Sequence, residues 1–332
     1  MSLTKYFIPT FYFVCLIFSK LETQNFLIDI FNQLIFQIFL LGFLILIVLI
    51  FFKKIILSIF YFFCILYLGI DIFLTCENCD SLVKDNENLN NKIRVMTFNT
   101  SYDTDYDLPN WFVFLENKLI NNKRLNLDKS KELKKLKQII INEKPDIILF
   151  QETNLNFINS LKKLNLNYTY QVQPNKFVQN TESIILSKYP ILKNDNILHN
   201  SILTKIIINK TEINFLTPHL HSGLNQERFN LARKQIEILK LIKEDISDNI
   251  ILMGDLNMTP VSYRFNRLLE DLKLHTYSSF YKQTFTWPAY LPYILGIQID
   301  HVLYSKNFKM ISKKTTNSPG SDHRPLIVDL AF

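Results

Sequence analysis

The chain changes character along its length. Up to residue 76 apolar residues follow one another without period, and after residue 92 they come in short bursts separated by polar loops. In Leu34–Phe52 the strongly polar member is Gln37, Lys53-Lys54 interrupt, and Ile55 to Ile70 run apolar before Asp71. A helix needs about 20 apolar residues to cross a hydrocarbon core of about 30 Å. Residues 34–52 and 55–74 are therefore read as membrane spans, and the shorter 6–19 as a third. The expected organisation is a transmembrane region over 1–76, a polar, Asn-rich linker over 77–92, and one domain over 93–332. In that domain the bursts predict strands at 93–98, 146–150, 182–187, 202–208, 213–217, 249–253, 299–304 and 326–330. Helical spacing of Leu133, Leu136, Ile139 and Ile140 predicts a helix over 131–142 with Ser130 as its cap. Phe229, Ala232, Ile236, Leu239 and Ile242 predict another over 227–243. Short apolar strands alternating with helices point to an α/β fold of sheets covered by helices.

Composition sharpens this division. Six Gly, 11 Pro and 14% aromatic residues exclude collagen-like and disordered chains. The N-terminal 92 residues carry six lysines against seven acids, which leaves 31 basic and 23 acidic groups, a net of +8, for the remainder. Lys53-Lys54 between two apolar runs, with Lys5 in agreement, place that loop on the cytoplasmic side and everything after residue 76 outside the cytoplasm. Cys15 and Cys64 lie in apolar segments, and Cys76 and Cys79 flank the exit of the last span as a small disulfide or two thiols. No cysteine follows residue 79, so thiolate zinc is excluded from the domain.

The chemistry gathers where apolar strands end. Asn99 follows IRVMTF, Gln151-Glu152 follow DIILF, and His219 follows INFLTP. Asp255 and Asn257 follow NIILMG, Asp300-His301 sit in QIDHVLYS, and Ser321-Asp322-His323 precede PLIVDL. A single Asn or Asp at a strand end is ordinarily a turn former, but recurrence at six strand ends marks a site held by rigid sheets. The pieces MTFN (96–99), PDIILFQE (145–152), SKYPI (187–191), TPHLHSG (217–223), GDLN (254–257), IDHVLYS (299–305) and SDHRPL (321–326) stand in an order that resembles the endonuclease/exonuclease/phosphatase superfamily. TWPAYLP (286–292) and the N-terminal spans look most like its membrane-anchored bacterial branch.

That resemblance implies a four-layer α/β sandwich and a metal-dependent phosphoesterase. It implies that Glu152 binds Mg²⁺, or Mn²⁺ in its stead, with Asn99 and Asp322 nearby. Asp255 would orient or deprotonate the attacking water, and Asn257 and His219 would hydrogen-bond the scissile phosphate. His323, oriented by Asp300, would stabilise phosphoryl oxygens or assist proton transfer. For the branch it implies a multi-pass inner-membrane protein whose catalytic domain faces the periplasm. The residue types suit the chemistry: hard cations take carboxylate and amide oxygens, and a neutral amide donates to phosphate without repelling it.

Other readings are weighed against this one. His219-x-His221 has a spacing that binds zinc, but no further His or Cys completes a set, so His221 is read as a loop residue. His301 points to the opposite face from Asp300 and is read as structural. Arg228, Arg233 and Gln235 are placed on a solvated helix face. Ser101 stands where some relatives carry an acid, and Met258-Thr259-Pro260 replace an inositol-phosphatase signature. The segment 107–129 is read as shaping a cleft or resting on the membrane. The net +8 suits nucleic acid, the tether suits phospholipid head groups, and both substrates stay open. The rival reading, an inert membrane scaffold, is disfavoured because each core position holds a competent residue.

Overall fold

A computed structural model describes residues 3–19, 21, 24–74, 91–101, 129–173, 182–198, 201–277 and 284–332. Most of the expected 77–92 linker, Cys76, Cys79, His199 and nearly all of segment 107–129 lie outside the described residues.

Strands β1 (Lys92–Asn99), β2 (Ile147–Thr153), β3 (Tyr170–Val172), β4 (Glu182–Ser187), β10 (Lys309–Thr315) and β11 (Leu326–Ala331) form one sheet in the order β10-β11-β1-β2-β4-β3. Strands β5 (Ile191–Leu198), β6 (Ser201–Ile208), β7 (Thr211–Leu216), β8 (Ile250–Asp255) and β9 (Asp300–Tyr304) form the second in sequence order. The strands alternate between two cores. Ile147 and Leu149 of β2 face inward to join Phe215, Ile251, Met253 and Val328 between the sheets. Ile148 and Phe150 face outward under the helices at Lys129–Glu143 and Leu155–Lys163. On the far side Ile250, Leu252 and Leu303 pack beneath the helices at Gln226–Glu244 and Tyr263–Leu272. The result is the expected four-layer order of helix, sheet, sheet, helix. Ser130 lies inside its helix, which begins at Lys129, and so does not cap it.

This stacking places the strand ends that carry the candidate site side by side. Parallel pairing of β1 with β2 sets Asn99 opposite Gln151. Antiparallel pairing of β8 with β9 sets Asp255 opposite Asp300 and Gly254 opposite His301.

Among the described residues the N-terminal third forms four helices: α1 (Leu3–Phe18), α2 (Phe26–Gln33), α3 (Ile35–Phe51) and α4 (Ile55–Leu74). The helices at 129–143, 155–163, 226–244 and 263–272 are accordingly α5 to α8. Among the described residues no single helix is long and apolar enough to cross a membrane; α2 and α3 pass together by length and composition, bent by 65°. The break at Leu34 corrects the reading of 34–52 as a self-contained span. Leu34 leaves helical geometry at φ −104°, ψ 16°, and Asn25 caps α2 by accepting a hydrogen bond from Leu27 N–H. Tyr12, Cys15, Phe39, Tyr61 and Leu68 form a core of their own among α1, α3 and α4. Their outer faces stay apolar and bare: Phe51 is 78% exposed and Ile56 84%.

Candidate active site

The turn after β8 forces its own geometry. Gly254 has φ +152°, and a Cβ there would collide with the Pro218 carbonyl and lie 2.8 Å from Gln151 Nε2. Only glycine fits this close approach. Gln151, fully buried, ties the sheets together: its Nε2 donates to Pro218 O at 3.0 Å, and its Oε1 accepts Asp255 N–H at 2.7 Å. One amide thus fixes Asp255 and the His219 loop together.

Asp255 is 2% exposed and anchored by Asn257 N–H on its Oδ1 at 2.9 Å. Its Oδ2 accepts Asn99 Nδ2 at 3.1 Å, and the same Asn99 amide reaches Glu152 Oε1 at 2.9 Å. The Nε2 atoms of His219 and His323 lie 3.9 and 3.7 Å from that Asp255 oxygen, and His219 Nε2 is 3.5 Å from Glu152 Oε1. Asp255, Asp300 and His323 bring ligand atoms within 4.8 Å of one another, all buried. Burial first, then the charges of Asp300 and Glu152, push the Asp255 carboxyl well above the carboxylate range despite the His323 charge and the Asn257 amide.

His323 and Asp300 form a dyad, with Nδ1 2.8 Å from Asp300 Oδ2. Burial opposes charging of His323, but Asp300, Asp322 and Asp255 overcome it and raise its pKa to about 10. Asp300 Oδ1 is buried with no hydrogen-bond partner. Asn257, in left-handed geometry at φ +50°, turns its Nδ2 to Leu220 O at 2.8 Å, bracing the His219 loop. Asp322 accepts from Trp287 Nε1 at 2.9 Å and from the Ser101 hydroxyl; Ser101 N–H in turn donates to Asn99 Oδ1 at 3.1 Å. The proposed ligands Asn99 and Glu152 are therefore bonded directly, and Asp322 is linked to them through Ser101.

His301 sits on the opposite face of β9. Its Nε2–H donates to Met258 O at 2.7 Å, which makes Nδ1 the acceptor for Gln298 Nε2 at 3.2 Å. Burial, reinforced by the charge of Lys313, lowers its pKa to about 3. It stays neutral and braces the turn after Asp255. Gln235 departs from its solvated-face reading: it is 9% exposed, accepts His221 N–H at 2.8 Å and donates to His219 O at 3.1 Å. Its place among Phe229, Ala232 and Ile236 on the inner face of α7 was the available signal. Gln151, Trp287 and Ser101 were likewise not assigned as supports, and the one cue was adjacency of Gln151 to Glu152.

The donor set suits a hard divalent cation. It is built of carboxylate and amide oxygens, burial together with the charges of Asp300 and Glu152 holds Asp255 toward its protonated form, and one buried carboxylate oxygen has no partner.

Comparison with known proteins supports the fold. The chain is similar to TDP2 from D. rerio in complex with a single strand DNA product, at 14% identity over 73% of this chain and 99% of that one, with a TM-score of 0.53. It is similar to the endonuclease/exonuclease/phosphatase from Bacteroides vulgatus at 17% identity, covering 73% and 99%, with a TM-score of 0.52. A family protein from Leptotrichia buccalis aligns at 13% identity, covering 72% and 100%, with a TM-score of 0.51. These likenesses speak for the fold. No curated protein matches in sequence. The model of the Endonuclease/Exonuclease/phosphatase family matches residues 96–323, from β1 through the His323 loop, and the chain belongs to that family.

Proposed function

We propose that this chain is a Mg²⁺-dependent phosphodiesterase held at a membrane by its N-terminal helices. The observation that carries the reading is the convergence of Asp255, Asp300 and His323 beside the Asn99–Glu152 pair. The family hydrolyses phosphoric esters with divalent metal ions. In this chain Glu152 and Asn99 would hold the ion, with Asp322 behind them, and the bound ion supplies charge neutralisation at the phosphate.

The residues divide the remaining work. Asp255 takes the proton of the attacking water as a carboxylate, the form that the His323 charge and the Asn257 amide favour. His323, kept cationic by Asp300, faces the charge that grows on the phosphoryl oxygens. His219 and Asn257 line the same side and orient the phosphate. Asp300 keeps the His323 ring fixed, so little reorganisation is needed during reaction.

The net +8 after residue 92 supports a nucleic-acid substrate. A second reading, a phospholipid head group, draws on the bare apolar faces of α3 and α4. Anchoring with the domain outside the cytoplasm follows from Lys53-Lys54. The deciding experiment offers the full chain plasmid DNA, single-stranded DNA and phospholipid vesicles with Mg²⁺, beside His323→Ala. Nicked or shortened DNA supports the first reading and released head group the second. Hydrolysis unchanged in His323→Ala would overturn the mechanism.

A further inference from the structure

The N-terminal helices do more than adjoin the domain. Arg264, in the first turn of α8, makes a bidentate ion pair with Asp29 of α2 at 2.9 and 2.7 Å. Both side chains are nearly closed to solvent, at 11% and 5% exposure. Asp29 Oδ2 accepts Gln33 Nε2 at 3.2 Å, one helical turn on. With its nitrogen turned to Asp29, the Gln33 amide presents Oε1 to Thr259 N–H at 2.6 Å. The Thr259 hydroxyl donates to Gln33 O at 3.1 Å. Gln37 Nε2 donates to Gly296 O at 2.8 Å, and Phe36 packs against Phe285 with ring centroids 5.4 Å apart and planes tilted by 44°.

The receiving end of this relay is the catalytic turn. Thr259, 3% exposed, comes two residues after Asn257, whose left-handed backbone must be held against relaxation. The turn is fixed at its start by Asn257 N–H on Asp255, from below by His301 on Met258 O, and from the side by Asn257 on Leu220 O. Its far end is held by Gln33. The same ion pair lies under the His219 loop: a Cβ at Gly223 would come 3.1 Å from Arg264 Nη2 and 3.4 Å from Asp29 Oδ2. Two loops that carry His219, Asp255 and Asn257 are thus seated on one short helix outside the α/β sandwich.

We infer that Gln33, oriented by Asp29 and Arg264, is a positioning residue of the active site, and that α2 is a structural part of the catalytic centre. This explains four polar side chains, Asp29, Asn32, Gln33 and Gln37, in the otherwise apolar run 26–52: Asp29, Gln33 and Gln37 turn to the catalytic domain, and Asn32 closes the α1–α2 connection on Phe18 O and Leu21 O.

The test uses the full chain in detergent micelles, with bis(p-nitrophenyl) phosphate and Mg²⁺ as the probe. Gln33→Ala is expected to lower kcat about 10- to 100-fold with KM nearly constant, the cost of misplacing reacting groups by fractions of an ångström to an ångström. Gln33→Glu keeps an acceptor for Thr259 N–H but sets a carboxylate against Asp29 in place of the amide donor, and is expected to recover only part of the loss. Asp29→Arg, which removes the acceptor that orients Gln33, should behave like Gln33→Ala. The kinetic arm rests on the phosphodiesterase reading, so hydrogen exchange is read in parallel. Amides 256–262 and 219–223 should exchange at least tenfold faster in Gln33→Ala while those of β1 and β11 do not change. Exchange and kcat both unchanged in Gln33→Ala would overturn the inference. A wild-type chain silent on the probe would count against the phosphodiesterase reading alone, and exchange would then decide: accelerated loops support the inference, unchanged loops refute it.

Discussion

Asp255 shows the cost of the site most plainly. Its carboxyl is buried opposite Asp300 on the neighbouring strand and within reach of the Glu152–Asn99 pair, so the metal-free fold resists its ionisation. The folded state retains a proton that the unfolded chain releases near pH 4. Stability of the metal-free protein therefore falls as pH rises above about 4, until Asp255 ionises in the fold as well. His323 acts in the same direction. Its contribution is complete below the unfolded value of about 6.5 and is lost as pH climbs through the folded value of about 10. In EDTA the Tm should fall steadily between pH 5 and 8.5. Asp255→Asn keeps the shape and removes the charge, so it should raise the Tm at pH 8 and flatten the slope while lowering kcat by about 10²–10⁴. Millimolar Mg²⁺ should narrow the difference in Tm from the wild-type side. A pH slope identical in the two proteins would show that Asp255 does not carry the strain.

At the level of elements, the β8 turn joins fold and site, and Gly254 is its test. Gly254→Ala sets a methyl group against Pro218 O in a backbone region that L residues rarely adopt. A loss on the order of 3 kcal/mol is expected, together with loss of turnover, since Asp255 is the next residue. Urea midpoints with unchanged slope would measure it. Elements differ in how clearly the sequence announces them. β2 and β8 are buried on both faces and read as unbroken apolar runs. The strands that no periodicity predicted are β3, β5 and β10, and each lies at an edge of its sheet. Edge strands carry Lys and Asn to discourage further pairing, as in KMISKKT and ILKNDNIL, and this hides their apolar alternation. In α8 the core residues Phe265, Leu268, Leu269 and Leu272 keep helical spacing, but ten residues give that pattern little length. The acids and imidazoles of the site are legible because each stands at or just beyond one end of an apolar strand. The Arg264–Asp29–Gln33–Thr259 relay was not, because it joins residues 226 or more positions apart through contacts that only the folded chain makes.

For the whole molecule, two forces could bring the chain to a bilayer, and they differ in magnitude and in response to salt. The +8 domain gains about 1 kcal/mol for each Lys or Arg near an anionic surface, an attraction that fades once the Debye length shrinks to a few ångströms at about 1 M salt. The bare faces of α3 and α4 include Ile47, Ile50, Phe51, Ile55 and Ile56, all at least 60% exposed. Burying each such side chain contributes roughly 1.5–3 kcal/mol, indifferent to salt and to lipid charge. The second force dominates, so the full chain should float with vesicles of neutral lipid and remain with them through a 1 M salt wash. Replacing Ile47, Ile50, Phe51, Ile55 and Ile56 with Ser should release it. These residues lie beyond the Gln37 contact with Gly296, so the released protein should still hydrolyse a soluble diester. Flotation limited to anionic vesicles at low salt would instead assign membrane contact to the basic domain, and the helical hairpin would then need another cover for its apolar faces.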